Sequence, residues 1–310
     1  MNAALPTTPL PALSIGEFFP ADGFSAVVHS AFHSALNLRY QDRLLTLVAA
    51  DEADLPQGVR VDTPVGFSFE RFQVGALVSC DGKYLRLSSL TVDLRGAPRW
   101  KCNLPSLNAD LSNPSVLQAW KIVWQALNER QRAARADIVA QDLIHPTNNI
   151  SNRISQRAGD AMRNLVDAAR RRDSTDVESP LRSLIGLGSG LTPSGDDLLV
   201  GFLAGLWCSV QQSPERTKFI DALAQKISPL SPRTNDISRT YLFHAARGQV
   251  SSRLAHLAES VCAAAPPERL LPAFESAVRT GHSSGMDTAS GFLLGLGAWS
   301  VADLGGKHQI

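Results

Sequence analysis

Two segments of the chain carry the same short polar motif in front of an apolar run, and this motif can bind an anion. Residues 194–206 align without a gap on residues 284–296, and eight of the thirteen positions are identical. Both copies begin Ser-Gly-x-Asp and continue with Gly-x-x-x-Gly. A helix that begins at such a motif offers free backbone N–H groups and the positive end of its dipole to a negative ligand. We therefore expect one binding site built from both helix starts.

The segment that leads into the first copy is rich in glycine. It is Gly-Leu-Gly-Ser-Gly-Leu-Thr-Pro-Ser-Gly-Asp-Asp at 186–197. Glycines let the backbone approach a ligand and curl its N–H groups into an anion-binding nest. Ser-x-x-Asp is also the pattern of a helix cap, which explains both copies without a ligand. Because glycine at this density costs conformational entropy, we favour a binding site over capping alone.

The candidate ligand contacts come from the two motifs and from one arginine. In the loops at 188–197 and 281–287, which would form the cradle, the candidates are Gly188, Ser189, Gly190, Thr192, Ser194, Gly195, His282, Ser283, Ser284 and Gly285. Arg233 would act as the charge clamp, since it precedes a predicted helix that Thr234 or Asn235 caps. A guanidinium suits a carboxylate or phosphate, although an ordinary surface arginine has the same sequence pattern.

Three aspartates in the same motifs would repel a bound anion if they were ionised. They are Asp196, Asp197 and Asp287. Either they cap their helices, or they hold a cation such as Mg²⁺, or they pair with a neighbouring arginine. The sequence leaves these alternatives open, and it indicates no other cofactor.

Several familiar catalytic motifs are absent or out of place. A P-loop needs a lysine after the glycines, and a dinucleotide-binding fingerprint needs a preceding strand. The segment from Gly281 to Gly285 has the spacing of a nucleophile elbow, but the residues before it are predicted to be helical, and only His308 follows it. The sequence thus offers anion-binding loops without a recognisable acid–base pair or nucleophile.

The elements that would position these residues belong to an α+β protein. We expect a loose arm at 1–20, a small antiparallel β-rich domain at 21–110, and a mostly helical domain at 111–310 that carries the repeat. Within the β-rich part, a short helix is predicted at 24–38, and Asp81-Gly82 predicts a hairpin turn. The Gly-x-x-x-Gly spacing predicts that the two repeat helices pack on each other.

Composition limits the function further. The net charge is +1 and aromatic residues make up 6% of the chain, so no basic surface for nucleic acid is expected. The four cysteines lack metal-ligand spacing and suggest free thiols in a reducing compartment. There is no signal-peptide pattern, and the apolar runs are too short to span a bilayer. We expect a soluble, cytoplasmic protein without a membrane partner.

The long motif at 186–197 resembles the signature of the AllH-like family, formerly a domain of unknown function. Arg233-Thr234 with Ile237-Ser238, and the segment 281–287, occur in the matching order. The resemblance implies a subunit of oxamate carbamoyltransferase, which converts oxalurate and phosphate to oxamate and carbamoyl phosphate in anaerobic allantoin breakdown, a branch of purine catabolism. It also implies FdrA-like and AllG-like protein partners. It carries over no established catalytic residue.

Two other functions remain open. One is a non-catalytic binding or scaffolding subunit of a related acyl or carbamoyl transfer complex, in which the glycine loops dock a partner. The other is an independent small-molecule kinase, which would bind ATP. Because the sequence lacks an evident acid–base pair, we expect the isolated chain to have little or no transferase activity.

Overall fold

The structure is a computed structural model that describes residues 8–145, 153–279, 281 and 283–300. The chain divides into two compact units, 1–102 and 103–310. The first is built from strands and the second from helices.

A β-barrel-like sheet forms the first unit. Its strands are β1 (Leu10–Gly16), β2 (Phe24–Ala31), β3 (Ala35–Tyr40), β4 (Arg43–Val48), β5 (Gly58–Val61), β6 (Leu77–Cys80), β7 (Tyr84–Leu87), β8 (Leu90–Asp93) and β9 (Arg99–Trp100). Their order is β5-β4-β3-β2-β6-β7-β8-β1-β9, and β5 also pairs with β1, which closes the ring. Fully buried side chains such as those of Leu36, Leu47, Phe69 and Leu85 fill its core.

The sheet is not wholly antiparallel, which corrects our expectation. Strands β4 and β5 pair in parallel, and β1 runs parallel to both β8 and β9. The remaining pairings are antiparallel. The parallel contacts arise where the chain crosses between strands through the longer loops instead of a tight hairpin.

Two local expectations for this unit need revision, and a third is confirmed. The predicted helix at 24–38 is instead β2 and β3, because burial alternates along Phe24, Ser25 and Ala26 as on a strand. The expected loose arm contains β1, which pairs with β5 and β8. The Asp81-Gly82 hairpin is confirmed, but Gly82 alone has a positive φ, of 82°, while the Asp81 carboxylate accepts from the N–H groups of Lys83 and Tyr84.

Helices form the described part of the second unit. They are α1 (Pro114–Ala133), α2 (Ala140–Ile144), α3 (Arg153–Arg171), α4 (Glu178–Leu184), α5 (Ser194–Cys208), α6 (Pro214–Leu230), α7 (Asp236–Ala245), α8 (Ser252–Cys262), α9 (Pro267–Val278) and α10 (Ser284–Gly297). The two repeat copies are therefore α5 and α10. Among the described residues, no helix combines the length and apolar character needed to cross a bilayer.

The repeat helices are the centre of this unit. Both are buried on nearly every face, and Phe202 and Phe292, which occupy the same position in the two copies, are fully buried. Helix α1 supports α10 from one side: the indole N–H of Trp120 donates to the carbonyl of Leu293 at 2.9 Å, and the Gln131 amide donates to the Ser290 hydroxyl at 2.9 Å. A helix that is apolar all round is a core helix, as the composition of both copies requires.

Candidate active site at the paired helix starts

The two repeat helices touch backbone to backbone, as the Gly-x-x-x-Gly pairs predict. A Cβ placed on Gly201 would lie 1.9 Å from the carbonyl oxygen of Thr288. In the other direction, a Cβ on Gly291 would lie 2.0 Å from the carbonyl oxygen of Leu198. Because 201 corresponds to 291 and 198 to 288 in the repeat, each helix contacts the other with the same residues. The pair thus has an approximate two-fold axis.

The contacts also give the direction of the helices. Gly201 lies against Thr288 and Phe292, and Gly205, one turn later, lies against Phe292 and Leu296. The contact moves toward the C-terminus on both helices together, so the helices are parallel. Their N-terminal ends, with Ser194 and Ser284, therefore lie at the same end of the pair.

At that end, each aspartate of the repeat is hydrogen-bonded to the serine of the other copy. The Ser284 hydroxyl hydrogen-bonds to the Asp197 carboxyl, and the Ser194 hydroxyl hydrogen-bonds to the Asp287 carboxyl. Thr192 also contacts Asp197, and Ser283 contacts Asp287. The Ser-x-x-Asp pairs thus do not act as simple caps within one helix, and neither helix start has a side-chain cap.

Both carboxyl groups are buried and favour the protonated form. Asp197 is 4% exposed and Asp287 is 2% exposed. Burial raises the pKa of Asp197 well above its usual range, and the nearby Asp287 charge adds to this. Burial likewise raises the pKa of Asp287 to about 7, with Asp137 contributing in the same direction. In each carboxyl, Oδ2 is buried without a hydrogen-bond partner among the described residues.

Asp196 is adjacent to Asp197 in sequence but has different hydrogen-bond partners. Its Oδ1 accepts from the Gly186 N–H at 2.9 Å, and its Oδ2 accepts from the Thr234 hydroxyl. The residue is 1% exposed, and burial raises its pKa. Asp196 therefore ties the glycine-rich loop to the start of α7.

A second set of contacts holds the same loop. The Asn235 amide donates to the Leu191 carbonyl at 2.9 Å, and its oxygen accepts from the N–H groups of Ile237 and Ser238. Asn235 is thus the cap of α7, whereas Thr234, the alternative cap, contacts Asp196. Gly186, with φ of 77°, lies so close to the Arg233 carbonyl that a Cβ would be 2.6 Å from that oxygen.

Backbone N–H groups in the first turn of α5 already have acceptors. The Gly195 N–H donates to the Leu187 carbonyl, and those of Asp196 and Asp197 donate to the Pro193 carbonyl. Gly195 itself lies against the Leu184 carbonyl, where a Cβ would be at 2.1 Å. Gly195 is therefore needed for packing, and the side chains of Ser194 and Thr192 are half-buried at this turn.

The remaining candidate residues are placed as follows. Ser189 and Gly190 are exposed at the tip of the loop, and Gly190 has φ of 104° with nothing within 4 Å of where a Cβ would lie. Gly188 has φ of 110° and lies against the Ser194 nitrogen. Gly285 packs against the Ala277 carbonyl. Arg233 is exposed. His282 lies outside the described residues.

Among the described residues, no group of three or more His, Cys, Asp and Glu side chains converges in a way that could hold a metal ion. Asp196 is engaged by Gly186 and Thr234, whereas Asp197 and Asp287 are engaged by the serines. A Mg²⁺ site at these aspartates remains a prediction.

Comparison with known families agrees with this organisation. Residues 184–296 match the family model described as oxamate carbamoyltransferase subunit AllH, and residues 11–99 match the AllH family N-terminal domain. The first match covers the glycine-rich loop and both copies of the repeat, 194–206 and 284–296. No solved structure matches the chain.

Both matches are to one family, whose description is that of a subunit of oxamate carbamoyltransferase. The chain belongs to the AllH family. The family description is that of one subunit of a larger enzyme, which implies protein partners.

Proposed function

We propose that the chain is a subunit of an oxamate-type carbamoyltransferase, which converts oxalurate and phosphate to oxamate and carbamoyl phosphate. The substrate group would bind where α5 and α10 begin. The observation that carries this proposal is the crossed contact at the joined helix starts, where Ser194 and Ser284 each meet the aspartate of the other helix. The family match supports the class of reaction.

The electrostatics of the site are compatible with an anion. Ionised aspartates would repel phosphate or a carboxylate, which was the difficulty raised by the sequence. Because burial raises the pKa of Asp197 and Asp287, the pair carries less negative charge near neutral pH than two ordinary aspartates would. The positive ends of two parallel helix dipoles add to the attraction.

The same pair offers the acid–base chemistry that the sequence did not reveal. In the proposed reaction a phosphate oxygen forms a bond to the carbamoyl carbon, and the bond from that carbon to the oxamate nitrogen breaks. The proton lost by hydrogen phosphate ends on that nitrogen, so the reaction neither gains nor loses a proton overall. A pair of carboxyls that holds one proton can accept one and give one, with the Ser194 and Ser284 hydroxyls between the carboxyls and the substrate.

The test is reconstitution. The chain is purified alone and then with its FdrA-like and AllG-like partners, and carbamoyl phosphate is measured after oxalurate and phosphate are added. We expect turnover by the assembly and little or none by the isolated chain. In the assembly, Ser194→Ala with Ser284→Ala should reduce turnover, whereas Ser179→Ala, at an exposed serine on α4, should not. Full turnover by the isolated chain would contradict the subunit proposal.

The alternatives give different results in the same experiment. A scaffolding subunit would allow the assembly to turn over equally well with the double serine variant. A small-molecule kinase would bind ATP, so a thermal-shift screen with ATP, oxamate, phosphate, carbamoyl phosphate and Mg²⁺ separates it from a transferase. A ligand present at about one hundred times its Kd stabilises the protein by roughly 2.7 kcal/mol, which such a screen detects.

A further inference from the structure

We infer that the hydroxyls of Ser194 and Ser284 together bind the two oxygens of one small oxyanion, a carboxylate or a phosphate, and that each hydroxyl is oriented by the aspartate of the opposite helix. This inference deepens the proposed function and rests on it only for the choice of oxamate as a probe. It assigns the aspartates as positioning residues.

The symmetry of the helix pair supports a shared ligand. Reciprocal glycine contacts relate α5 to α10 by an approximate two-fold axis. Ser194 and Ser284 occupy the same position in the two copies, so their hydroxyls are related by that axis. A carboxylate, or two oxygens of a phosphate, presents two equivalent acceptors to such a pair of donors.

The distribution of hydrogen-bond donors favours the hydroxyls. In the first turn of α5 the N–H groups of Gly195, Asp196 and Asp197 already donate to carbonyls. The serine hydroxyls are half-buried, and they contact carboxyls whose raised pKa favours the protonated form. A hydroxyl that accepts from a protonated carboxyl still has its own hydrogen to donate to a ligand. A ligand at this helix start therefore meets hydroxyl groups and the field of the helix dipole more readily than a nest of free amides.

Two buried oxygens at the same place lack partners. They are the Oδ2 atoms of Asp197 and Asp287, which have no hydrogen-bond partner among the described residues. A buried polar atom without a partner is costly unless water or a ligand completes it. Both oxygens belong to the carboxyls that contact the two serines. They are acceptors, so a ligand that completes them must carry a donor besides its anionic oxygens, as oxamate does in its amide and hydrogen phosphate does in its hydroxyl.

The test begins with binding. Isothermal titration calorimetry with oxamate and with inorganic phosphate is carried out on the full chain and on the reconstituted assembly. Ser194→Ala and Ser284→Ala should each weaken binding of at least one of these anions by roughly tenfold, the effect of losing a hydrogen bond to a charged group. Ser179→Ala should bind as the wild-type protein does. Unchanged affinity in the double serine variant, or no binding of either anion by chain or assembly, would overturn the inference.

Double-mutant cycles then test the crossed arrangement. Asp197→Ala and Asp287→Ala are combined with each serine variant, and affinities are compared. Because residues in direct contact show non-additive effects, Ser194 should couple to Asp287, and Ser284 to Asp197. The same-helix pairs, Ser194 with Asp197 and Ser284 with Asp287, should be additive. Coupling within the same-helix pairs instead would identify ordinary helix capping and reject the crossed geometry.

Two further controls keep the result interpretable. If an alanine variant of either aspartate does not fold, the Asp→Asn variant at that position replaces it. The amide N–H group can donate to the serine oxygen as a protonated carboxyl does, which leaves the hydroxyl hydrogen for the anion and should restore binding. Failure of the proposed function is separable, because binding is measured without turnover. An assembly that binds oxamate through both serines but makes no carbamoyl phosphate would contradict the proposed reaction. The inference that the two hydroxyls bind the anion would then still hold.

Discussion

The Asp197 carboxyl is hydrogen-bonded to the Ser284 hydroxyl, although Ser194 stands three residues before it on its own helix. The equivalent contact joins Asp287 to Ser194. The aspartate at each helix start is therefore hydrogen-bonded by a serine of the other helix. This relationship makes the close packing of the helices a condition for the site.

Stability should depend on pH through Asp287. Its pKa is raised to about 7 by burial, whereas in the unfolded chain it returns to 3.8. Between these values the folded protein holds a proton that the unfolded chain releases, so the free energy of unfolding should fall as pH rises from about 4 to 7. A shift of this size corresponds to at most roughly 4 kcal/mol. Urea denaturation of wild type and Asp287→Asn across this range measures it, and the variant should show the weaker dependence.

Asp173→Asn is the control for that experiment. The pKa of Asp173 is lowered by hydrogen bonds from Thr175, so its contribution has the opposite sign and is lost as pH falls. Its removal should leave the decline toward neutral pH in place. Identical pH profiles for wild type and Asp287→Asn would show that this carboxyl does not retain its proton in the fold.

Gly201→Ala should destabilise the protein by separating the repeat helices. The added Cβ would lie 1.9 Å from the Thr288 carbonyl oxygen, so the backbones must move apart. Because the clash is with backbone, we expect a cost at or above the upper end for overpacking, about 3 kcal/mol or more. This exceeds the gain of about 1 kcal/mol that alanine gives a helix. Gly291→Ala should behave in the same way because the contact is reciprocal. Denaturation midpoints measure both.

Gly96→Ala is the matched control for the glycine variants. Nothing lies within 4 Å of a Cβ at that position, and its φ is 71°. Its cost should be limited to the left-handed backbone, about 1–2 kcal/mol. If Gly201→Ala is no more destabilising than Gly96→Ala, the helices do not pack as closely as described.

Thr234→Val should loosen the glycine-rich loop. The substitution keeps the shape of the side chain but removes the hydroxyl that donates to the buried Asp196 carboxyl. Leaving a buried acceptor unpaired costs about 1–3 kcal/mol. We expect lower stability together with weaker oxamate binding, measured by denaturation and calorimetry.

The control for this prediction is Thr217→Val on α6. The Thr217 hydroxyl donates to the Ser213 carbonyl, which also accepts from the Thr217 N–H, so no group is left unpaired. This variant should bind oxamate as the wild type does. Equal effects of the two substitutions on affinity would contradict a special role for the contact between Thr234 and Asp196.

The sequence predicted the pairing of the repeat helices because Gly-x-x-x-Gly is a local pattern with a direct packing consequence. It also placed Thr192, Ser194, Ser283 and Ser284 in one region. It could not predict the crossed contacts, since Ser-x-x-Asp is equally the pattern of a cap within one helix, and only the parallel packing decides between them. The raised pKa values of Asp197 and Asp287 could not be predicted either, because their burial depends on how the helices pack.

In the β-rich unit, the local sequence did not determine the kind of secondary structure. Phe24 to Leu38 has enough apolar residues for either a helix or strands, and the pairing partners that decide for β2 and β3 come from distant segments such as β6. The parallel contacts of β1 with β8 and β9 likewise join residues that are far apart along the chain. Short-range patterns therefore predicted the turn at Gly82 correctly but gave the wrong kind of element at 24–38.

Closure of the first unit has a consequence for how partners can attach to it. Apart from the two-residue β9, each strand of the described sheet has neighbours on both sides. An incoming chain therefore finds almost no free backbone donors and acceptors with which to extend the sheet. A partner that binds this unit must recognise its side chains and loops. The outward-facing residues of the unit therefore determine which partner can bind.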